Sequence, residues 1–238
     1  LVVFIAGGFS LTTAYKDFSK GDYYVNINID NSKGLISEDN ISDMRSIDGI
    51  KSVDEFSVYQ QATSDISVQG ISVNEKYAQN NGSINEHINL YGYSDSILNK
   101  MNSFLAEGEI DINKMNNANN PVVLFNRERS AISNEKLPIK IGDTISVTLY
   151  TYSKEMKTVN VDGVDYQVPK DVVTKKLDCI VGGIISDAPY NRGSFAAGPE
   201  VIMTSTMLNS LLGDNGFTNV YLYSKSNSDN TKIENELS

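Results

Sequence analysis

Between Pro121 and Leu149 the chain reads PVVLFNRERSAISNEKLPIKIGDTISVTL, a pattern that few folds can accommodate. Val122 to Phe125 is a short, continuously apolar run, as in a strand covered on both faces. A short amphipathic helix follows, and the turn Lys140-Ile141-Gly142-Asp143 starts a second strand, Thr144 to Leu149. Gly142 supplies the positive φ that a turn entering a strand needs. Further on, Leu177 to Ile185 (LDCIVGGII) is another apolar strand. The segment predicts a mixed domain of strand, helix and hairpin, and it holds no residue whose only use is chemical.

With 238 residues and 40% hydrophobic content, the chain has material for one large or two small cores. A net charge of -10 and the lack of any Lys/Arg cluster mean that phosphate backbones are repelled on average, so nucleic acid is not expected as a partner. Cys179 is the single cysteine, which excludes an intrachain disulfide and cysteine-rich zinc sites. Its alternating neighbours Leu177 and Val181 make it a small core residue of a strand.

The most apolar segment is Leu1 to Tyr15 (LVVFIAGGFSLTTAY), uncharged until Lys16 and Asp17. As a helix it would be about 22 Å long, short of the roughly 30 Å hydrocarbon core of a bilayer. It reads as the trailing part of a transmembrane helix covering residues 1–18, with a buried core helix as the alternative.

Downstream, Tyr23, Val25, Ile27 and Ile29 alternate as one face of a half-buried strand. Ser37 is a candidate N-cap, Ile41, Met44 and Ile47 space a helix face, and Gly49 can end that helix in the left-handed conformation. Ile50 to Gln61 is a further strand. Strand, helix, strand in this order makes a ferredoxin-like, split βαβ unit. Strands follow at Ser64–Ala78 and Ile84–Tyr93, then a helix from Asp95 to about Leu105 capped by Ser94 or Asp95. Gly108 to Asn120 is a polar connector. Asp162-Gly163, flanked by alternating residues, is the strongest hairpin signal. Pro189 to Pro199 is a loop, Met203 to Leu212 a short amphipathic helix, Asn219 to Tyr223 a strand, and Asp229 to Leu237 a final helix.

Residues able to do chemistry are sparse. No phosphate-cradling GxxxxGK[ST] run is present, so ATP hydrolysis within the chain is not expected. His87 is the only histidine, which leaves His-based metal sites and Ser-His-Asp or Cys-His catalysis without their parts. Ser133 and Lys136 match SxxK, but the companion elements of that enzyme class are missing. Asp111 with Asn113, and Asp214 with Asn215, have oxygen ligands at loop spacing yet lack a full calcium loop. Glu107 with Glu109, and Asp54 with Glu55, read as solvated faces rather than a shared cleft. No catalytic, cofactor-binding or metal-binding residue is therefore assigned.

The order of segments resembles the extracytoplasmic core domain of MacB-type and FtsX-like ABC transporter permeases. Ile47-Asp48-Gly49-Ile50-Lys51-Ser52-Val53 is similar to that family's "ipGV..V" helix-to-strand turn, and Phe104 to Gly108 to its "l..G" lead into a polar loop. Pro121 to Asn126 matches its strand before a helix, Ile141 to Ile145 its "vGdti" turn, and Leu177 to Ile185 its "f.VvGi" strand. Val201-Ile202-Met203, Val220-Tyr221-Leu222 and Lys232 to Leu237 complete the order. The chain departs from the family at the polar hairpin insertion Thr151 to Lys176, where relatives turn more tightly.

The resemblance implies an α+β fold of two lobes. Residues 19–75 and 200–238 would form a discontinuous membrane-proximal α/β lobe, and residues 76–199 an inserted strand-rich lobe. It also implies a membrane protein whose extracellular domain couples ATP hydrolysis by a separate cytoplasmic ATP-binding subunit to export, extraction or sensing of a peptide or lipid-like substrate. Pairing as a homodimer or with a second permease, location on the extracytoplasmic side of the membrane, and a role without catalysis belong to the same expectation. A secreted or membrane-anchored cell-surface binding module is the alternative, and a hydrolase with an unrecognised site is a third.

Overall fold

The computed structural model describes residues 27–30, 34–67, 83–117, 121–125, 139–186, 200–213, 215–226 and 230–237. The fold is α+β and two-lobed, with a large mixed sheet and a second sheet of two strands. Two compact units divide at 56/57 and at 214/215. The apolar segment 1–18 lies outside the described residues.

The first unit takes its described residues from both ends of the chain, 27–56 and 215–237. Strand β1 (Ile27–Asp30) leads to helix α1 (Glu38–Ser46) and then to β2 (Ile50–Ser67), whose first part belongs here. Ser37 caps α1 as its sequence position suggests. Its Oγ accepts the Asn40 N–H at 3.2 Å, while Asn40 Oδ1 accepts the Ser37 N–H at 3.1 Å, so two otherwise orphaned donors are satisfied together. Strand β11 (Asn219–Ser224) pairs antiparallel with both β1 and β2. Those two strands are therefore parallel to each other with β11 between them, which is a split βαβ arrangement. Ile41 of α1 and Ile233 of the last helix, α5 (Asn230–Leu237), join Val53, Val220 and Leu222 in one buried cluster. Each such side chain contributes about 1.5–3 kcal/mol by leaving water.

The second unit comprises described residues between 57 and 186 and from 200 to 213. It adds β3 (Ser83–Tyr93), helix α2 (Asp95–Met101), β4 (Leu105–Gly108), helix α3 (Ile112–Met115), β5 (Pro121–Phe125) and β6 (Thr144–Tyr152). A hairpin of β7 (Met156–Val161) and β8 (Val164–Pro169) follows, then β9 (Val172–Ile185), β10 (Glu200–Thr204) and helix α4 (Ser205–Leu212). Hydrogen-bonded neighbours run β2-β3-β10-β5-β9, and β6 pairs with both β9 and β2. Six strands thereby close into a ring, which leaves no open edge along that circuit.

Period-two alternation explains the ring's filling. Ile145, Val147 and Leu149 on β6 and Cys179 and Val181 on β9 all enter one buried cluster with residues of the other four strands. Helix α4 covers one end of this core. Leu208 is fully buried in the same cluster, Gly92 has no side chain where Leu208 crosses it, and Lys175 Nζ donates to the Leu211 carbonyl. On the outer face, α2 packs on β3, and α3 packs on β10 and β5. At the β6 entrance Gly142 has φ +88° and donates its N–H to Val181 O at 2.8 Å, which fixes the turn onto β9.

Two elements depart from the sequence expectation. The supposed connector from Gly108 holds α3, whose N-cap Asp111 accepts the Lys114 N–H at 3.1 Å, and the helix expected to reach Leu105 yields there to β4, which pairs with β9. Both elements are only four residues long, too short to establish a period. The expected helix after Phe125, the later part of the expected strand to Ala78 and the loop Pro189 to Pro199 lie outside the described residues.

Candidate functional site

Among the described residues, those singled out for chemistry do not converge. Cys179 is buried in β9, and loss of hydration, aided by the nearby Asp178 charge, pushes its thiol up to about 12, so it holds its proton at neutral pH. His87 lies on β3. Ser133, Lys136 and Asp214 lie outside the described residues. Asp111 caps α3, Asn113 accepts from Asn117 Nδ2 through its carbonyl at 2.6 Å, and Asn215 is exposed. Glu107 is exposed, and Glu109 pairs with Lys114 beside a crevice of about 30 Å³ that Met115 and Gly182 also line. That space suits a water or two rather than an organic substrate. Among the described residues no group of three His, Cys, Asp or Glu side chains is placed to hold a metal ion.

Asp54 and Glu55 overturn one expectation: both are buried, not solvated. Residues Val53 to Ser57 of β2 are buried without interruption, so this strand is covered on both faces and its carboxylates are enclosed with it. Glu55 Oε1 accepts from Arg45 of α1 at 2.8 Å. Desolvation nevertheless raises the Glu55 pKa above its ordinary value, with the Arg45 charge opposing that shift. Arg45 is half exposed while Glu55 is buried, so the pair ties the solvent side of α1 to an enclosed carboxylate of β2.

Among the described residues, most of the exposed large apolar side chains lie on the hairpin arm of the second unit. It occupies the insertion Thr151 to Lys176, where the chain departs from the family it resembles. The β6–β9 ladder continues through Tyr152 opposite Val172, and Ser153 N–H then donates to Asp171 O at 2.9 Å. Lys170 N–H donates to Glu155 O at 2.7 Å, and the Lys170–Glu155 ion pair at 2.8 Å adds a side-chain link. Beyond it β7 and β8 pair alone, out to the two-residue turn Asp162-Gly163 with φ of 53° and 84°. These are the left-handed angles of a hairpin turn that matches strand twist. From Tyr152 to Val161 the arm extends roughly 30 Å at about 3.3 Å per residue.

Directly opposed residues share a face, so the register divides the arm into two unlike surfaces. One carries Thr158 bonded to Gln167 Nε2 at 2.8 Å, Asn160 bonded to Asp165 at 2.6 Å, and Met156 opposite Pro169. The other carries Lys157 opposite Val168, Val159 opposite Tyr166, and Val161 opposite Val164. Val161, Val164 and Tyr166 are each about half exposed, at 50%, 52% and 51%. Among the described residues no element of the chain covers this apolar face.

No protein-family model matches the chain, and no curated protein does. Among solved structures, the extracellular domain of the noncanonic ABC-type transporter YknZ from Gram-positive bacteria aligns at a TM-score of 0.47 and 13% identity, over 84% of this chain and 78% of its own. The periplasmic region of MacB from Actinobacillus actinomycetemcomitans aligns at 0.46 and 16% identity, over 88% of this chain and 74% of its own. Among the described residues no helix is long and apolar enough to cross a membrane.

Proposed function

We propose that this chain is the extracytoplasmic domain of an ABC transporter permease, and that it couples a cytoplasmic ATPase to work on a substrate outside the membrane. The observation that carries the reading is the split βαβ unit. Its central strand β11 comes from one end of the chain and its outer strands β1 and β2 from the other. A domain held between two membrane helices receives their motion at both of its ends, and here the described residues nearest each end, within 27–56 and 215–237, belong to one unit. A relative shift of those helices is then delivered to a single packed body rather than dissipated in a linker.

On this reading a separate ATP-binding subunit acts through the membrane region, two such permease chains pair, and the substrate is peptide or lipid-like. The order of motifs in the sequence supports the same class. A membrane-anchored binding module is the second reading, favoured by the uncovered apolar face of the arm. Topology mapping of the full-length protein separates them: spans on both sides of residues 1–238 are expected for the permease, and a protein with no span after Ser238 sinks it.

A further inference from the structure

An uncovered two-stranded hairpin is marginal on its own, because such ribbons need a third strand or a packed layer to be stable in water. The apolar row Val159, Val161, Val164 and Tyr166 exposes about 350 Å², within the range of the largest patch on a typical monomer, where such patches are often functional. We propose that this face is a self-complementary contact and that its occupant is the same face of a second copy of the chain. The inference deepens the pairing proposed above and rests on that reading for the membrane tether that keeps two copies close.

The arrangement of charge commits the occupant. Along the apolar face the rows run from Lys157 with Val168 at the base, through Val159 with Tyr166, to Val161 with Val164 and the Asp162 turn at the tip. A two-fold axis through the middle row lays Lys157 of each copy over the Asp162 turn of the other, while the valines and tyrosines meet between them. One operation thus matches opposite charge at both ends and apolar surface in the middle. From Tyr152 to Asp171 the arm carries Lys154, Lys157 and Lys170 against Glu155, Asp162, Asp165 and Asp171, three positive and four negative, a net of -1 on a chain of net -10. Two arms therefore approach without the repulsion that most of the acidic surface imposes.

Area sets the strength. Two such faces bury about 700 Å², below the 1,200–2,000 Å² of a stable complex. The contact is accordingly weak between free domains and filled when tethering raises the effective concentration to about millimolar.

The test is cysteine cross-linking of the full-length protein in its membrane. Val159→Cys lies next to the proposed axis, and buried Cys179 stays shielded from a short bis-maleimide. Val159→Cys should give a cross-linked pair, and Thr158→Cys on the opposite face should give at least tenfold less. Adding Tyr166→Asp or Lys157→Glu to Val159→Cys should reduce the cross-link at least tenfold; both sites are exposed, and unchanged circular dichroism would exclude misfolding. Equal yields from the two cysteines, or a full-length pair that forms with no cross-link at Val159→Cys, overturn the contact and leave the permease reading standing. Tyr166-dependent binding of a monomer to phospholipid vesicles also overturns it. A full-length protein that is monomeric by mass in mild detergent removes the pairing itself.

Discussion

Gly108 and Gly142 both have positive φ, +77° and +88°, yet alanine at the two positions should differ several-fold in cost. At Gly142 an added Cβ meets nothing within 4 Å. Its cost is the left-handed backbone alone, about 1–2 kcal/mol, partly offset by about 0.4–1 kcal/mol because alanine also restricts the unfolded chain. At Gly108 the Cβ would stand 2.2 Å from Gly182 O and 2.7 Å from Ile141 Cδ1. The exposed Ile141 side chain can rotate away, but the carbonyl is held. Gly182 O accepts the Glu109 N–H at 3.0 Å, and Gly182 is the extra residue that β9 carries where Val122 faces Val181 and Val123 faces Gly183. Moving it costs that hydrogen bond, about 1 kcal/mol, in addition to the backbone penalty and a disturbed ladder. With about 1–2 kcal/mol more for one or two disturbed ladder hydrogen bonds, Gly108→Ala should therefore destabilise by about 3–4 kcal/mol and Gly142→Ala by about 1 kcal/mol. At a urea slope of about 2–3 kcal/mol per molar, the midpoint should fall by more than about 1 M for the first and less than about 0.5 M for the second. Urea titration followed by circular dichroism and tyrosine fluorescence measures both. Equal shifts, or a larger shift for Gly142→Ala, would refute the reasoning that the fixed Gly182 carbonyl decides the difference.

Leu208→Ala should cost about 3–4 kcal/mol, because α4 then leaves a void against the ring core; a calorimetric melting temperature lowered by less than about 3 °C would argue against α4 as the cover of that core. Cys179, held protonated and enclosed, should react with iodoacetamide at neutral pH only as fast as the second unit opens, so labelling at the rate of a free thiol would contradict its burial. Glu55 has a raised folded-state pKa, so the folded protein takes up this proton before the unfolded chain does. Its contribution is fully present below the unfolded value of 4.5 and is lost as pH rises through the raised folded value. Measured against Glu55→Gln, wild-type stability should therefore rise on acidification across that window, and a fall would show that the Arg45 charge outweighs desolvation.

Where a pattern is long or chemically specific, the fold was legible in the sequence. Ser37 with the Ile41 spacing announced α1, Asp162-Gly163 announced its hairpin, and Cys179 declared itself a core residue through its alternating neighbours. The short elements β4 and α3 were hidden because a few polar residues set no period, and only pairing with β9 and packing on β10 and β5 define them. Burial of Asp54 and Glu55 was hidden for a different reason. Charge argues for water, and nothing adjacent in the chain shows that β2 is covered on both sides or that Arg45 reaches Glu55. The arm was visible as a departure from the resembling family, but its apolar face was not. Only the register that puts Val159 opposite Tyr166 collects those residues from two strands onto one surface.

The central place of β11 between β1 and β2 also bears on how the chain matures. A ribosome delivers β1, α1 and β2 long before β11, so early in synthesis the first unit has its two outer strands and no middle. All strands of the ring, by contrast, are complete once β10 has emerged. The second unit can therefore become compact while the first still waits, and β11 then completes the unit begun first. A truncation that stops before Asn219 should leave the ring folded and the strands β1 and β2 without a partner between them. Completion of the first unit then depends on β11, the one of its three strands delivered last.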